Sequence, residues 1–207
     1  MPYFHSDKVN LLLIHIPKTG GTSLEQYFSE KYNIPLNDKS LFNVKTRFEG
    51  ISLQHQTYLT LKNKSEYFKI DFNGLKKITI VRNPYERLIS DLFFYNLITK
   101  NTSVEDVDKI IKMYIYGGVK YTKDNHVIPQ YLFLINESGE IEKDIIILKQ
   151  ENLNECMINQ GYTDFNIHLN VINNKKIDYY TFLSPNSIKL INKYYEKDFS
   201  YFNYKMR

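Results

Sequence analysis

Val9–Glu25 (VNLLLIHIPKTGGTSLE) joins a buried-looking strand, a glycine turn and a helix start in one continuous run. Leu11–Ile16 is apolar apart from His15 and of strand length, the pattern of a strand covered on both faces in a parallel sheet. Pro17 ends it. Lys18-Thr19-Gly20-Gly21-Thr22-Ser23 then supplies a cation, two residues without Cβ and three hydroxyls, before Leu24–Tyr32 resumes with apolar residues at helical spacing. Such a turn wraps backbone N–H groups around an anion and aims the positive end of a helix at it. The stretch therefore reads as a cradle for phosphate or sulfate.

The next firm unit repeats this plan. Lys77–Val81 is a second apolar, β-branched run that stops at Arg82-Asn83-Pro84. Asn83 as N-cap and Pro84 at the first helical position start a helix. Tyr85, Leu88, Ile89, Leu92 and Phe93 recur along it on a single face, which is expected to pack on the sheet.

Elsewhere the pattern is coarser. Asn33–Gly50 is polar and irregular, a candidate substrate-side loop. Ile51–Gln56 reads as a short extended piece carrying His55, and Thr57–Lys64 as a short helix capped by Gln56 or Thr57. Ser103–Tyr116 is a predicted helix with Ser103 and Asp106 in capping-box-like positions, ended by Gly117-Gly118. Tyr121–Pro129 is a polar loop. Gln130–Ile135 and Asp144–Leu148 flank the turn Asn136–Gly139, which suggests a hairpin or neighbouring strands. Gln150–Gln160 looks helical, Asn166–Tyr180 fits either loop or strand, Ser184 caps a helix over Pro185–Tyr195, and Phe199–Tyr204 supplies an aromatic tail. Strand–helix alternation in the first half implies an α/β fold, a central parallel sheet with helices on both faces and ligands at the carboxyl ends of its strands.

Composition narrows the class of chain. With 207 residues, 43% hydrophobic and 24% charged, it fits one globular domain, residues 1–207, with no repeat or linker to divide it. A net charge of +4 suits anionic ligands but falls short of a nucleic-acid signature, because the 27 basic residues are spread over the whole length. The single cysteine, Cys156, excludes a multi-cysteine metal site and is expected to be a buried small hydrophobe. No apolar run approaches the roughly 20 residues that span a bilayer. The chain as given is thus expected to be soluble and cytoplasmic, unless a targeting segment was trimmed from it.

Taken together, the two turns are selective. A nucleoside-triphosphatase loop places its lysine after the second glycine and a metal-holding acid at the end of another strand. Here the lysine precedes the glycines, and the second strand ends in Arg82, a cation that calls for an anion. Ser90 lies six residues into the helix, about 9 Å along its axis, and can close on the same anion as Arg82. A nucleoside carrying phosphate-like groups at two positions would satisfy both turns.

HIPKTGGTSL and IVRNPYERLISDLFF resemble the two cofactor motifs of the sulfotransferases that use 3′-phosphoadenosine 5′-phosphosulfate (PAPS). QHQTYLTL, NHVIPQYLF, IILKQENLNE and YYEKDFSYFNY resemble further segments of that family, closest to its carbohydrate (heparan- and chondroitin-type) branch, although Lys149-Gln150 stands where the family more often has arginine-phenylalanine. The resemblance implies a P-loop-like fold. It also implies that Lys18, Thr19, Gly20, Gly21, Thr22 and Ser23 hold the 5′-phosphosulfate, that Arg82 and Ser90 hold the 3′-phosphate, and that adenosine 3′,5′-bisphosphate is the product. Lys18 would stabilise the leaving phosphate without need of a metal. The acceptor would be a hydroxyl, on a glycan by this likeness.

An alcohol needs a base with a pKa near the working pH. The resemblance places that base at His55. His126, beside Pro129 and Gln130, is a substrate-site candidate and an alternative base, with Gln130 as its companion. Glu49 and Glu66 are the fallback acids. His15, inside the first strand, reads as structural, and His5 and His168 carry no signal. The rival readings are a P-loop kinase or nucleoside triphosphatase, and a nucleotide-binding module that has lost its base.

Overall fold

A computed structural model describes residues 1–43, 45–117, 123–166 and 177–207. Gly118, the first two residues of the 121–129 loop, His168 and most of the 166–180 segment lie outside that description.

The strands β1 (Tyr3–Ser6), β2 (Val9–Ile14), β3 (Arg47–Phe48), β4 (Ile51–Ser52), β5 (Lys76–Val81) and β6 (Ile145–Lys149) alternate with helices. The α-helices are α1 (Gly21–Tyr32), α2 (Tyr58–Asn63), α3 (Ser65–Phe68), α4 (Pro84–Phe94), α5 (Val104–Tyr116), α6 (Leu153–Asn159), α7 (Pro185–Tyr194) and α8 (Glu196–Tyr201). The main sheet has the order β1-β2-β5-β6, with β2, β5 and β6 parallel and β1 antiparallel on the β2 edge. β3 and β4 form a separate small hairpin. Leu13 pairs with Ile78 and Ile78 with Ile146, so the ends of the three parallel strands line one edge of the sheet. β5 is the neighbour of β2, and the two marked turns, far apart in sequence, emerge side by side.

Alternation along the strands builds two cores, as the period-2 geometry of a strand requires. Leu11, Leu13, Ile78, Ile80 and Leu148 meet Leu24 and Phe28 of α1 and Met157 of α6 on one face. Leu12, Ile14, Val81 and Ile145 meet Tyr58, Leu61, Phe68, Phe133 and Phe202 on the other. The central parallel sheet is thus flanked by helices on both faces, as expected for an α/β chain.

Four expectations need correction. The apolar face of α4 does not pack on the sheet: Tyr85, Leu88, Ile89 and Leu92 pack with Val107, Ile111 and Tyr114 of α5, Ile191 of α7 and Phe199 of α8. This third core is made of helices because α5, α7 and α8 come between that face and solvent. Gln130–Phe133 is a turn of 3-10 helix and not a strand, and β6 pairs in parallel with β5 instead of closing a hairpin. Leu53–His55 is likewise a 3-10 turn, so His55 stands on a tight bend. Cys156 is only half-buried, its Sγ 3.4 Å from Asn152 Oδ1. The caps follow the sequence: Thr57 accepts from the Thr60 N–H, Asn83 from Tyr85, Ser103 from Asp106, and Ser184 from Asn186 and Ser187.

Ile89→Ala and Leu92→Ala remove side chains from the helical core and are each expected to lower the unfolding free energy by about 2–5 kcal/mol in urea titrations. Met113→Ala, at a position 59% exposed on α5, should stay within about 0.5 kcal/mol of the parent.

Candidate active site

The first turn is shaped by its own hydroxyl and by a histidine below it. Thr19 is fully buried and its Oγ1 donates to the Ile16 carbonyl at 2.8 Å, which folds the chain back after Pro17. Lys18 (φ 66°) and Gly20 (φ 94°) are left-handed, and α1 starts at Gly21 with no side-chain cap. Gly21 is required for another reason: a Cβ there would come within 2.9 Å of the His15 ring. Among the described residues, the backbone N–H groups of Thr19, Gly20, Gly21 and Thr22 have no hydrogen-bond acceptor. Left-handed residues and unpaired amides at the start of a 12-residue helix make an anion-binding nest.

The second turn works differently. Its backbone donors are engaged: the Arg82 N–H by Gln130 Oε1 (2.9 Å), the Asn83 N–H by Glu151 Oε1 (2.7 Å) and the Tyr85 N–H by Asn83 Oδ1 (3.0 Å). An anion here has to be held by side chains. Arg82 reaches toward the first turn, with Nη1 3.4 Å from the Lys18 carbonyl, Nη2 3.2 Å from Glu86 and its guanidinium over the Tyr179 ring. Its Nε is buried with no partner among the described residues. The Ser90 hydroxyl, on a half-buried residue of α4 off the apolar stripe, makes no side-chain hydrogen bond among them.

Lys18 also faces this space. Its ammonium lies 4.0 Å from the centroid of Phe94, whose ring is 57% exposed. Burial lowers the Lys18 pKa, Asp91 opposes that shift and the charge of Arg82 adds to it. Two cations that disfavour each other on adjacent strand ends bind a shared anion readily.

Three buried histidines line the far side, each with its Nδ1 on a carboxylate. His15 pairs with Glu25, which also accepts from Gln54 Nε2 at 2.9 Å. His55 meets Asp124 Oδ2 at 2.7 Å, and His126 meets Asp91 Oδ1 at 2.8 Å. The rings touch edge to face, His15 and His55 at 5.3 Å and His55 and His126 at 4.9 Å, and His126 stacks on Phe94. Lys18, Phe94, His126, His55, His15 and Gly21 therefore form a closed loop of contacts that returns to the first turn. Burial above all drives the His55 pKa down to about 4, with His15 and His126 adding to the effect and Asp124 opposing it. Burial works against the charge on Asp124, but the hydrogen bonds from His55 and Ser52 outweigh it and hold that carboxyl well below its usual range. An ionised Asp124 can only accept, so the His55 proton sits on Nδ1 and the Nε2 lone pair is left open.

Site residues that the sequence reading did not name hold this assembly together. Asp124 sits at φ 78° and accepts from the Ser52 N–H (2.6 Å) and Ser52 Oγ (3.0 Å) besides His55. Arg87, 2% exposed on α4, donates to the carbonyls of Pro17 (3.0 Å), Ile128 (3.0 Å) and His126 (2.6 Å). Arg87 and Asp91 are i,i+4 charges beside an apolar stripe, and charges so placed either pair or bridge backbone. Gln130, expected on the substrate side, is fully buried with its carboxamide on the Arg82 backbone. Glu49 and Glu66 are at or near the surface and take no part in these contacts. His55, Asp124 and His126 bring one possible metal-ligand atom each within 4.8 Å of one another. Both Nδ1 atoms and the Asp124 carboxylate are already in hydrogen bonds.

A mostly parallel sheet flanked by helices, with a glycine-rich nest after one strand and an arginine after the next, is consistent with a P-loop-like α/β fold. The chain belongs to the sulfotransferase family, whose family model matches residues 1–205, and membership makes it a PAPS-dependent transferase. No curated protein and no solved structure matches it. Among the described residues no helix is long and apolar enough to cross a membrane.

His55 in the folded chain takes up a proton only near pH 4, against 6.5 for the free side chain. Between these values the unfolded chain binds more protons, so stability is expected to fall as the pH drops from about 6.5 to about 4. Urea unfolding across this range should show a shallower fall in His55→Gln than in the parent.

Proposed function

We propose that the chain transfers a sulfuryl group from PAPS to a hydroxyl of a carbohydrate, with His55 as general base and Lys18 at the leaving phosphate. The observation that supports this most directly is the His55 imidazole, its Nδ1 anchored on Asp124 and its Nε2 open, in the same loop of contacts as the Lys18–Gly21 nest. Its pKa of about 4 in the protein alone lies below the range of a base for an alcohol, so the reading requires that pKa to rise when the anionic donor binds beside it. The unpaired amides of the first turn and the unpartnered Nε of Arg82 fit a ligand with anionic groups at two positions. Bound PAPS supplies the sulfuryl group and a 5′-phosphate that leaves with added negative charge.

The chain's own residues then have separate tasks. Gly20, Gly21, Thr22 and Ser23 hold the 5′-phosphosulfate with the helix N-terminus behind it, while Thr19 contributes its N–H, since its hydroxyl is engaged on Ile16. Lys18 places a partly desolvated ammonium at the leaving oxygen, where low dielectric strengthens its effect. Arg82 and Ser90 take the 3′-phosphate. His55 Nε2 removes the acceptor's proton, and Asp124 steadies the imidazolium that forms. His126 touches His55 and stacks on the exposed residue Phe94, and on this reading that side takes the acceptor, an aromatic surface suiting the apolar face of a sugar.

In calorimetric titration, adenosine 3′,5′-bisphosphate is expected to bind more tightly than ATP, and Arg82→Ala to weaken the bisphosphate selectively. An equal or stronger response to ATP would overturn the PAPS reading. His55→Ala should retain bisphosphate binding and lose about 10²–10⁴-fold in transfer to a glycan acceptor panel with labelled PAPS. Transfer at the parent rate would remove His55 as the base.

A further inference from the structure

Arg82 is gripped from behind by a buried relay that begins on another helix. Asp198 on α8 and Gln130 are both fully buried. Asp198 Oδ2 accepts from the Gln130 N–H at 2.8 Å and Oδ1 from the Tyr131 N–H at 2.9 Å, fixing the start of the 130–133 turn. Asp198 Oδ2 also lies 3.4 Å from Gln130 Nε2. Gln130 then reads both backbone groups of one residue: its Oε1 accepts from the Arg82 N–H and its Nε2 donates to the Arg82 carbonyl, each at 2.9 Å. This two-point contact imitates a rung of an antiparallel ladder, and it is made one residue beyond the end of β5.

We propose that Asp198, acting through Gln130, is a positioning residue for Arg82 and thereby sets how strongly the site distinguishes a nucleotide that carries a 3′-phosphate from one that does not. The proposal rests on the donor-site reading given above. Its physical basis is that the N–H groups of Arg82, Asn83 and Tyr85 are engaged and Pro84 has none, so recognition there depends chiefly on the direction in which one guanidinium leaves the chain. A buried side chain that fixes both the N–H and the C=O of Arg82 fixes that direction. Burial of Asp198 raises its pKa to about 6, while its backbone donors and the charge of Arg87 pull the other way. A buried carboxylate whose hydrogen bonds converge on the Gln130 turn is suited to hold that turn rigid.

The test is calorimetric, with adenosine 3′,5′-bisphosphate and adenosine 5′-monophosphate as the two probes. Their Kd ratio isolates the 3′-phosphate. Charge-assisted hydrogen bonds of about 1.5–3 kcal/mol correspond to a ratio of about 10–150 in the parent. Gln130→Met is expected to cut the ratio about tenfold while the monophosphate affinity stays within about twofold, and Asp198→Asn, which keeps one acceptor, to cut it by less. A ratio unchanged in Gln130→Met, or an equal loss for both nucleotides, overturns the positioning role. A parent ratio near one, or a ratio indifferent to Arg82→Ala, overturns the donor-site reading and this inference with it. Should Asp198→Asn fail to fold, Gln130→Met decides alone, because it leaves the carboxylate and its backbone donors in place.

Discussion

The Arg87 guanidinium is the contact on which the geometry of the site most depends. It is buried on α4 and donates to three carbonyls: Pro17, immediately before the first turn, and His126 and Ile128 in the loop that carries the third histidine. Each of these carbonyls lies in irregular chain and would otherwise be an unsatisfied buried acceptor, a costly state. A single rigid fork satisfies all three and locks two loops to one helix. Lysine could not do so, since its ammonium is a point donor on a flexible stem. Because α4 itself is held by the helical core, this side chain also ties the first turn to α5, α7 and α8.

In the histidine row each imidazole is anchored through its Nδ1 on a carboxylate. Lys18 and Arg82 lie on the side of the two turns, while Glu25, Asp124 and Asp91 each sit behind one imidazole. The acids fix tautomer and ring orientation, and burial keeps His55 uncharged near neutral pH. Asp124 performs its part from a left-handed backbone position, uncommon for a non-glycine residue. Ser52 holds it there through both its N–H and its hydroxyl, so the β3–β4 hairpin braces the His55–Asp124 pair.

Much of the first half of the fold was legible because local rules agree there. β2, β5, α1 and α4 announce themselves through apolar runs, Pro17, the glycines and the Asn83-Pro84 cap, and the two turns they frame carry the family resemblance. The parts that failed are decided by long-range contact. Nothing in Tyr85–Phe93 says whether an apolar stripe meets a sheet or other helices. Gln130–Ile135 has strand composition, yet the Asp198 carboxylate accepts from its first two amides and favours a turn. β1 is four residues long and is defined by its pairing with β2. The partners Asp91, Asp124 and Glu25 went unnamed because an acid in a sequence does not reveal which imidazole it will meet. Their proximity comes from the adjacency of β2 and β5 and from loops that Arg87 ties down.

The two turns differ in what evolution can adjust. The first exposes backbone amides, which are the same for every amino acid, beside the single side-chain cation of Lys18, so substitution elsewhere in that turn can disrupt it but can scarcely retune it. The second has its amides engaged and relies on one guanidinium and one hydroxyl, Arg82 and Ser90. A single codon change there alters the shape and charge presented to the ligand while the strand, the cap and the nest stay intact. Within one scaffold, a turn of unpaired backbone amides thus stands beside a turn whose available donors are side chains.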